Sequence, residues 1–224
     1  MSSVIKAFKS FFDTFIVTSM IKRETIYYED GGAEHTEATL NAVLDAAKEL
    51  GIKTVLVAST SGETGVKAAQ LFEGSGVQLI VVGHQTGFPA AGVQQFKTEN
   101  LKRIGALGGV VNLGTDVLTN SIRQRQRLGH SPMSIITQSL IAMKVKVNAE
   151  IVAKACDAGL VHPGEHVVSV AGSHRGADTA VSFLAADSPN ILDLNPQYII
   201  AMPLSREKAD TEYMARRQAA QKDG

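Results

Sequence analysis

At 224 residues the chain has room for one large domain or two small ones, with a core that needs no covalent staples. Its 22 basic and 22 acidic side chains cancel, which excludes recruitment of nucleic acid or an acidic membrane by a global field. A lone cysteine, Cys156, excludes an intramolecular disulfide; it sits in an apolar helical pattern, and a cytoplasmic setting is expected.

The first 24 residues form an extension. Val4, Phe8, Phe11, Phe12, Phe15 and Ile16 recur at helical spacing, while Lys6, Lys9 and Asp13 break any span able to cross a bilayer. No signal-peptide cleavage pattern follows. So aromatic a stripe is expected to pack on the domain or on a neighbouring copy, giving a homo-oligomer. An interfacial membrane anchor is the alternative.

From residue 25 to 204 the pattern is that of one α/β domain. Residues 36–50 read as a helix closed by Gly51, and Lys53 to Ala58 as a strand buried on both faces. A helix over 63–74, a strand over Gln78–Gly83, a helix over 94–105 and a short strand Gly109–Asn112 follow. Arg123, Arg125 and Arg127 alternate and read as a solvated or subunit-contacting surface. A helical stretch from Met133 to Ala158 carries a break near Val145 to Asn148. The strands His166–Ala171 and Thr179–Ala185 are joined too closely for a crossover helix, so they pair antiparallel. Tyr198–Met202 is the last strand, and the charged tail 205–224 reads as a solvated helix or disorder. The alternation predicts a mostly parallel sheet with helices on both faces.

In such a sheet ligands bind beyond the carboxyl ends of the strands. Ser59-Thr60-Ser61-Gly62-Glu63-Thr64 leaves a strand and opens a helix, with hydroxyls flanking a glycine: good phosphate chemistry, although Ser61 as a plain helix cap is the alternative. The segment lacks the Gly-Lys-Ser/Thr of a P-loop, and the chain has no G-x-G-x-x-G. The second polar loop, Gly172 to Thr179, offers Gly172, Ser173, Arg175, Gly176 and Asp178. Arg175 suits an anion, unless it and Asp178 pair or merely fix the turn. The third, His84 to Phe88, contributes His84, Thr86 and Gly87, with Phe88 able to stack on a flat ring or to cover core. Glu150, inside an apolar helix, is either paired or near the ligand. The remaining histidines lack metal-ligand spacing, so no metal site is expected, and no nucleophile–base pair can be read.

Ser59-Thr-Ser-Gly62 after a strand, and Val168 to Gly172 followed by Thr179-Ala-Val, resemble the C-terminal domain of pyruvate kinases. Closer still is a stand-alone family of such domains, similar at Thr36–Leu40, Lys48–Lys53, Val57–Ser59, His84–Phe88, Arg175–Val181 and Ile200–Pro203. The resemblance covers roughly residues 25–204 and implies a three-layer α/β/α sandwich with the strand at Thr179 antiparallel to the rest. It implies FMN or a similar phosphorylated ligand, its phosphate near Ser59, Thr60, Ser61, Gly62 and Thr64. His84, Thr86, Gly87 and Arg175 would line the remainder. The resemblance does not reach the kinase's barrel, with its catalytic lysine and metal-binding carboxylates, so no phosphotransfer to ADP is expected. The alternative is a regulatory or assembly module that takes a sugar phosphate without flavin.

Overall fold

A computed structural model describes residues 21–118, 132–142 and 144–222. Its strands are β1 (Ile26–Asp30), β2 (Thr54–Ala58), β3 (Gln78–Val82), β4 (Val110–Asn112), β5 (His166–Ala171), β6 (Thr179–Leu184) and β7 (Asn195–Ser205). They form one sheet in the order β1-β7-β6-β5-β2-β3-β4. The main helices described are α1 (Thr36–Leu50), α2 (Glu63–Phe72), α3 (Thr98–Ala106), α4 (Pro132–Ala142), α5 (Lys146–Asp157) and α6 (Glu207–Lys222).

Two cores sandwich the sheet, because alternate side chains of each buried strand point to opposite faces. Val55 and Val57 of β2 share a core with Leu40 and Val43 of α1, Val66, Ala69 and Phe72 of α2, and the fully buried Ile104 of α3. Leu56, between them in sequence, faces the other way onto Ile151, Val152 and Ala155 of α5. Cys156 lies in this second core as a buried thiol whose pKa burial pushes up to about 12, so it is an inert apolar group. The result is a three-layer α/β/α sandwich.

All pairings are parallel except those of β6, which runs antiparallel to β5 on one side and β7 on the other. The short join between Ala171 and Thr179 dictates this, since a parallel return needs a crossover. It also brings the start of β6 to the edge where β2, β3, β4 and β5 end.

Three elements depart from the sequence reading. β1 was not expected; it is an edge strand whose Ile26 and Tyr27 are exposed, so it lacks the apolar run that marked its neighbours. β7 extends beyond 198–202 at both ends. The helix break includes Lys144, just ahead of the expected Val145 to Asn148, because Lys144 takes a left-handed φ of 61° and Val145 N–H returns to the Leu140 carbonyl at 3.0 Å. The charged tail takes the first of its two expected forms, a largely solvated helix from Glu207. The aromatic stripe at 4–16 and Arg123, Arg125 and Arg127 lie outside the described residues. No described helix is long and apolar enough to cross a membrane.

Candidate functional site

The β2–α2 turn has the geometry of an anion cradle. Gly62 takes φ 91°, and a Cβ there would approach Asn100 Cβ at 2.6 Å and the Phe96 ring at 2.8 Å, so only glycine fits. The turn is braced from outside: Lys97 N–H and Asn100 Nδ2 both donate to the Ser61 carbonyl, at 3.1 and 3.0 Å. Ser59 N–H donates to the Val82 carbonyl, tying the turn to β3. By contrast, the backbone N–H groups of Thr60, Ser61, Gly62 and Thr64 have no acceptor among the described residues. The Ser61 hydroxyl accepts from Glu63 N–H only at 3.4 Å, which is too long to discharge the helix end. Those donors, with the positive end of the α2 dipole behind them, favour a negative charge in front.

Arg175, from the β5–β6 loop, is exposed and near enough for its charge to act on Glu63. The Glu63 carboxyl is held below its ordinary range by the hydrogen bond from Lys97 first, then by the charges of Lys97 and Arg175. Lys97 Nζ donates to it at 2.9 Å, so the one acid at the cradle is occupied.

Asp178 has a different place. Fully buried, it accepts from Gly32 N–H and Ser173 N–H, both at 3.0 Å, and from the Thr179 hydroxyl at 2.8 Å. It stitches the β1–α1 connection to the β5–β6 loop and fixes the turn; Arg175 is not its partner. Gly172 and Gly176 let the loop fold on itself, because a Cβ on Gly172 would strike the Gly176 carbonyl. Ser173, also buried, serves the same knot.

At the ends of β3 and β4 lies a network that the sequence reading did not find. Lys154 of α5 is buried and donates to the Gly83 carbonyl at 2.6 Å and to Asp116 Oδ1 at 2.7 Å. The other Asp116 oxygen meets His84 Nδ1 at 3.0 Å. Burial alone would raise the Asp116 pKa, but hydrogen bonds from His84 and Lys154 outweigh it and keep the carboxyl below its ordinary value. This fixes the His84 ring, which stacks on Phe88 with centroids 3.8 Å apart, so Phe88 packs on a histidine. Thr86 accepts from Gln94 Nε2 at 3.2 Å, and Gly87 supplies a φ of 88° in a turn whose N–H donates to the Val93 carbonyl. Glu150 is paired, with Lys146 and with Leu118 N–H. The available signal for this network was Lys154 itself: a charge on an apolar helix face is rarely buried without a partner. Among the described residues no group of three His, Cys, Asp or Glu could hold a metal ion.

The three loops therefore reach the same edge of an α/β/α sandwich, with donors facing outward and the acids turned inward or paired. The class is an open α/β domain with one reversed strand. Residues 37–184 match the pyruvate kinase alpha/beta domain family, and the chain belongs to it.

Solved pyruvate kinases of Cryptosporidium parvum are similar to it at low identity. One is 13% identical over 66% of this chain and 22% of its own, with a TM-score of 0.36. A second is 14% identical over 60% and 20%, with a TM-score of 0.32. A third, in complex with ADP, is 14% identical over 74% and 24%, with a TM-score of 0.35. The chain thus spans between 20% and 24% of the length of those enzymes.

Proposed function

We propose that this chain binds a small phosphorylated ligand at the carboxyl edge of its sheet, with FMN as the first candidate. The observation that carries this reading is the set of four backbone N–H groups at Thr60, Ser61, Gly62 and Thr64, near the charge of Arg175, that have no acceptor among the described residues. A phosphate supplies several acceptor oxygens to such a cradle and is favoured by the helix dipole. The flat His84–Phe88 pair on the neighbouring loop supports a ring-bearing ligand such as a flavin. A sugar phosphate bound without flavin, by a regulatory or assembly module, would use the cradle and not that pair. A cytoplasmic setting and a homo-oligomer built through residues 1–24 complete the reading.

The test is an absorption spectrum of the purified protein followed by titration with FMN and with sugar phosphates. A flavin spectrum, or FMN binding that falls at least about tenfold in Ser61→Ala/Arg175→Ala, supports the flavin reading, two charge-assisted contacts being worth that much or more. Colourless protein stabilised by sugar phosphates selects the regulatory module. Unchanged affinity in the double variant for every phosphate tried removes the cradle from consideration.

A further inference from the structure

The family match ends at residue 184, yet the helix beyond it lies against the ligand edge. Helix α6 buries almost nothing, Ala209 being its one buried side chain among those described. Polar contacts hold it instead. Lys208 N–H donates to Asp30 Oδ2 at 2.9 Å, Lys208 Nζ to Glu34 at 2.6 Å, and His174 Nε2 meets Asp210 at 2.6 Å. The His174 ring stacks on Tyr213 with centroids 4.2 Å apart. His174 takes a left-handed φ of 67°, a costly conformation for a side-chain-bearing residue, and the ring it thereby presents to α6 closes this stack.

Between the β5–β6 loop and α6 lies a cavity of about 360 Å³ lined by His174, Arg175, Tyr213, Arg216 and Arg217. Three guanidinium groups converge here in a chain of zero net charge. Arg216 has a carboxylate near it, Glu212 at 3.5 Å, and Asp210 is shared between His174 and Arg206. Arg175 and Arg217 have no ion-pair partner among the described residues. Complementing the helix dipole does not account for Arg216 and Arg217 on α6. The helix runs on to Lys222, and the dipole acts within the last turn only.

We infer that this cavity is an anion site distinct from the β2–α2 cradle, formed by the C-terminal helix and the β5–β6 loop, and that it takes a multiply charged phosphate such as a diphosphate. Planar guanidinium forks suit neighbouring phosphate oxygens, and Tyr213 with His174 gives one wall a flat face.

The experiment uses the full chain and inorganic pyrophosphate, titrated calorimetrically in about 0.1 M salt so that distant charges are screened. A Ser61→Asp background places a repelling carboxylate in the cradle and isolates the second site. Pyrophosphate binding is expected to persist there and to fall at least about tenfold on adding Arg216→Ala/Arg217→Ala, both exposed positions whose change leaves the fold intact by circular dichroism. Loss of binding with Ser61→Asp alone assigns the ligand to the cradle and overturns the inference while sparing the proposed function. Persistence after all three changes, or no binding by the wild-type chain, also overturns it. Full rescue by Arg216→Lys/Arg217→Lys reduces the cavity to a diffuse positive patch and does the same. Independently, FMN and sugar-phosphate affinity untouched by Ser61→Asp would sink the cradle reading and leave this one standing.

Discussion

Two polar regions on the same sheet edge have opposite characters. At the ends of β3 and β4, and around Asp178, every buried charge is answered: Lys154 by Asp116 and a carbonyl, Asp178 by three donors. At the β2–α2 turn a braced backbone leaves the donors of Thr60, Ser61, Gly62 and Thr64 without an acceptor among the described residues. The difference teaches how to divide polar loop residues. Those that are buried and satisfied set the shape of the edge, while those that are braced yet unsatisfied await a ligand.

The comparison breaks most violently at the buried ion pair. Asp116→Ala leaves Lys154 charged and unpaired, and urea unfolding should show a loss of about 3–5 kcal/mol. Replacing both partners, Asp116→Leu with Lys154→Met, should recover most of that loss, because the cost lies in the orphaned charge. Next comes Asp178→Ala, which strands the N–H groups of Gly32 and Ser173; about 2–4 kcal/mol should disappear from the same unfolding curve. In the unanswered region the pattern reverses. Ser61→Ala/Arg175→Ala should change stability by less than about 0.5 kcal/mol while it removes ligand affinity. A double variant that unfolds as readily as Asp178→Ala would show that the cradle, too, is structural.

Acid sharpens the contrast more gently. The Asp116 carboxyl titrates below its ordinary 3.8 in the folded chain, so folding favours its anion. That contribution is present in full above the ordinary value and drains away as the pH falls through the lowered one. Stability followed down an acid series should therefore drop more steeply in the wild type than in the Asp116→Leu/Lys154→Met variant, and parallel curves would contradict this. His166 acts in the same direction at milder acidity. Burial lowers its pKa, so folding favours the neutral ring, and stability is lost as the pH falls below 6.5 toward the lowered value. His166→Gln should flatten that shallow slope.

The central sheet was legible because β2, β3 and β5 are buried on both faces and read as unbroken apolar runs. The reversal of β6 was legible from a loop length alone. Edge strand β1 was not, since exposure of Ile26 and Tyr27 erases the contrast that pattern reading needs. Within the candidate site the glycine–hydroxyl turn announced itself, whereas the partition of the second loop did not: Arg175 and Asp178 are three residues apart, yet one points outward and the other is fully buried. The pairing of Lys154 with Asp116 spans 38 positions and depends on how α5 lies under the ends of β3 and β4. Spacing along the chain carries no trace of it.

The position of β1 has a consequence for how the chain comes to be made. Its one neighbour in the sheet is β7, with Ile26 beside Ala201 and Asp30 beside Ser205, so the earliest strand of the sheet pairs with the one that follows all the others. Until β7 emerges, β1 has no place to go. Contacts so far apart in sequence form slowly, and strand edges left open meanwhile invite pairing between nascent chains. The Gly31 N–H that donates to the Ser205 carbonyl at 2.9 Å is thus among the last bonds the sheet can close. It also secures the connection that Asp178 ties to the ligand edge.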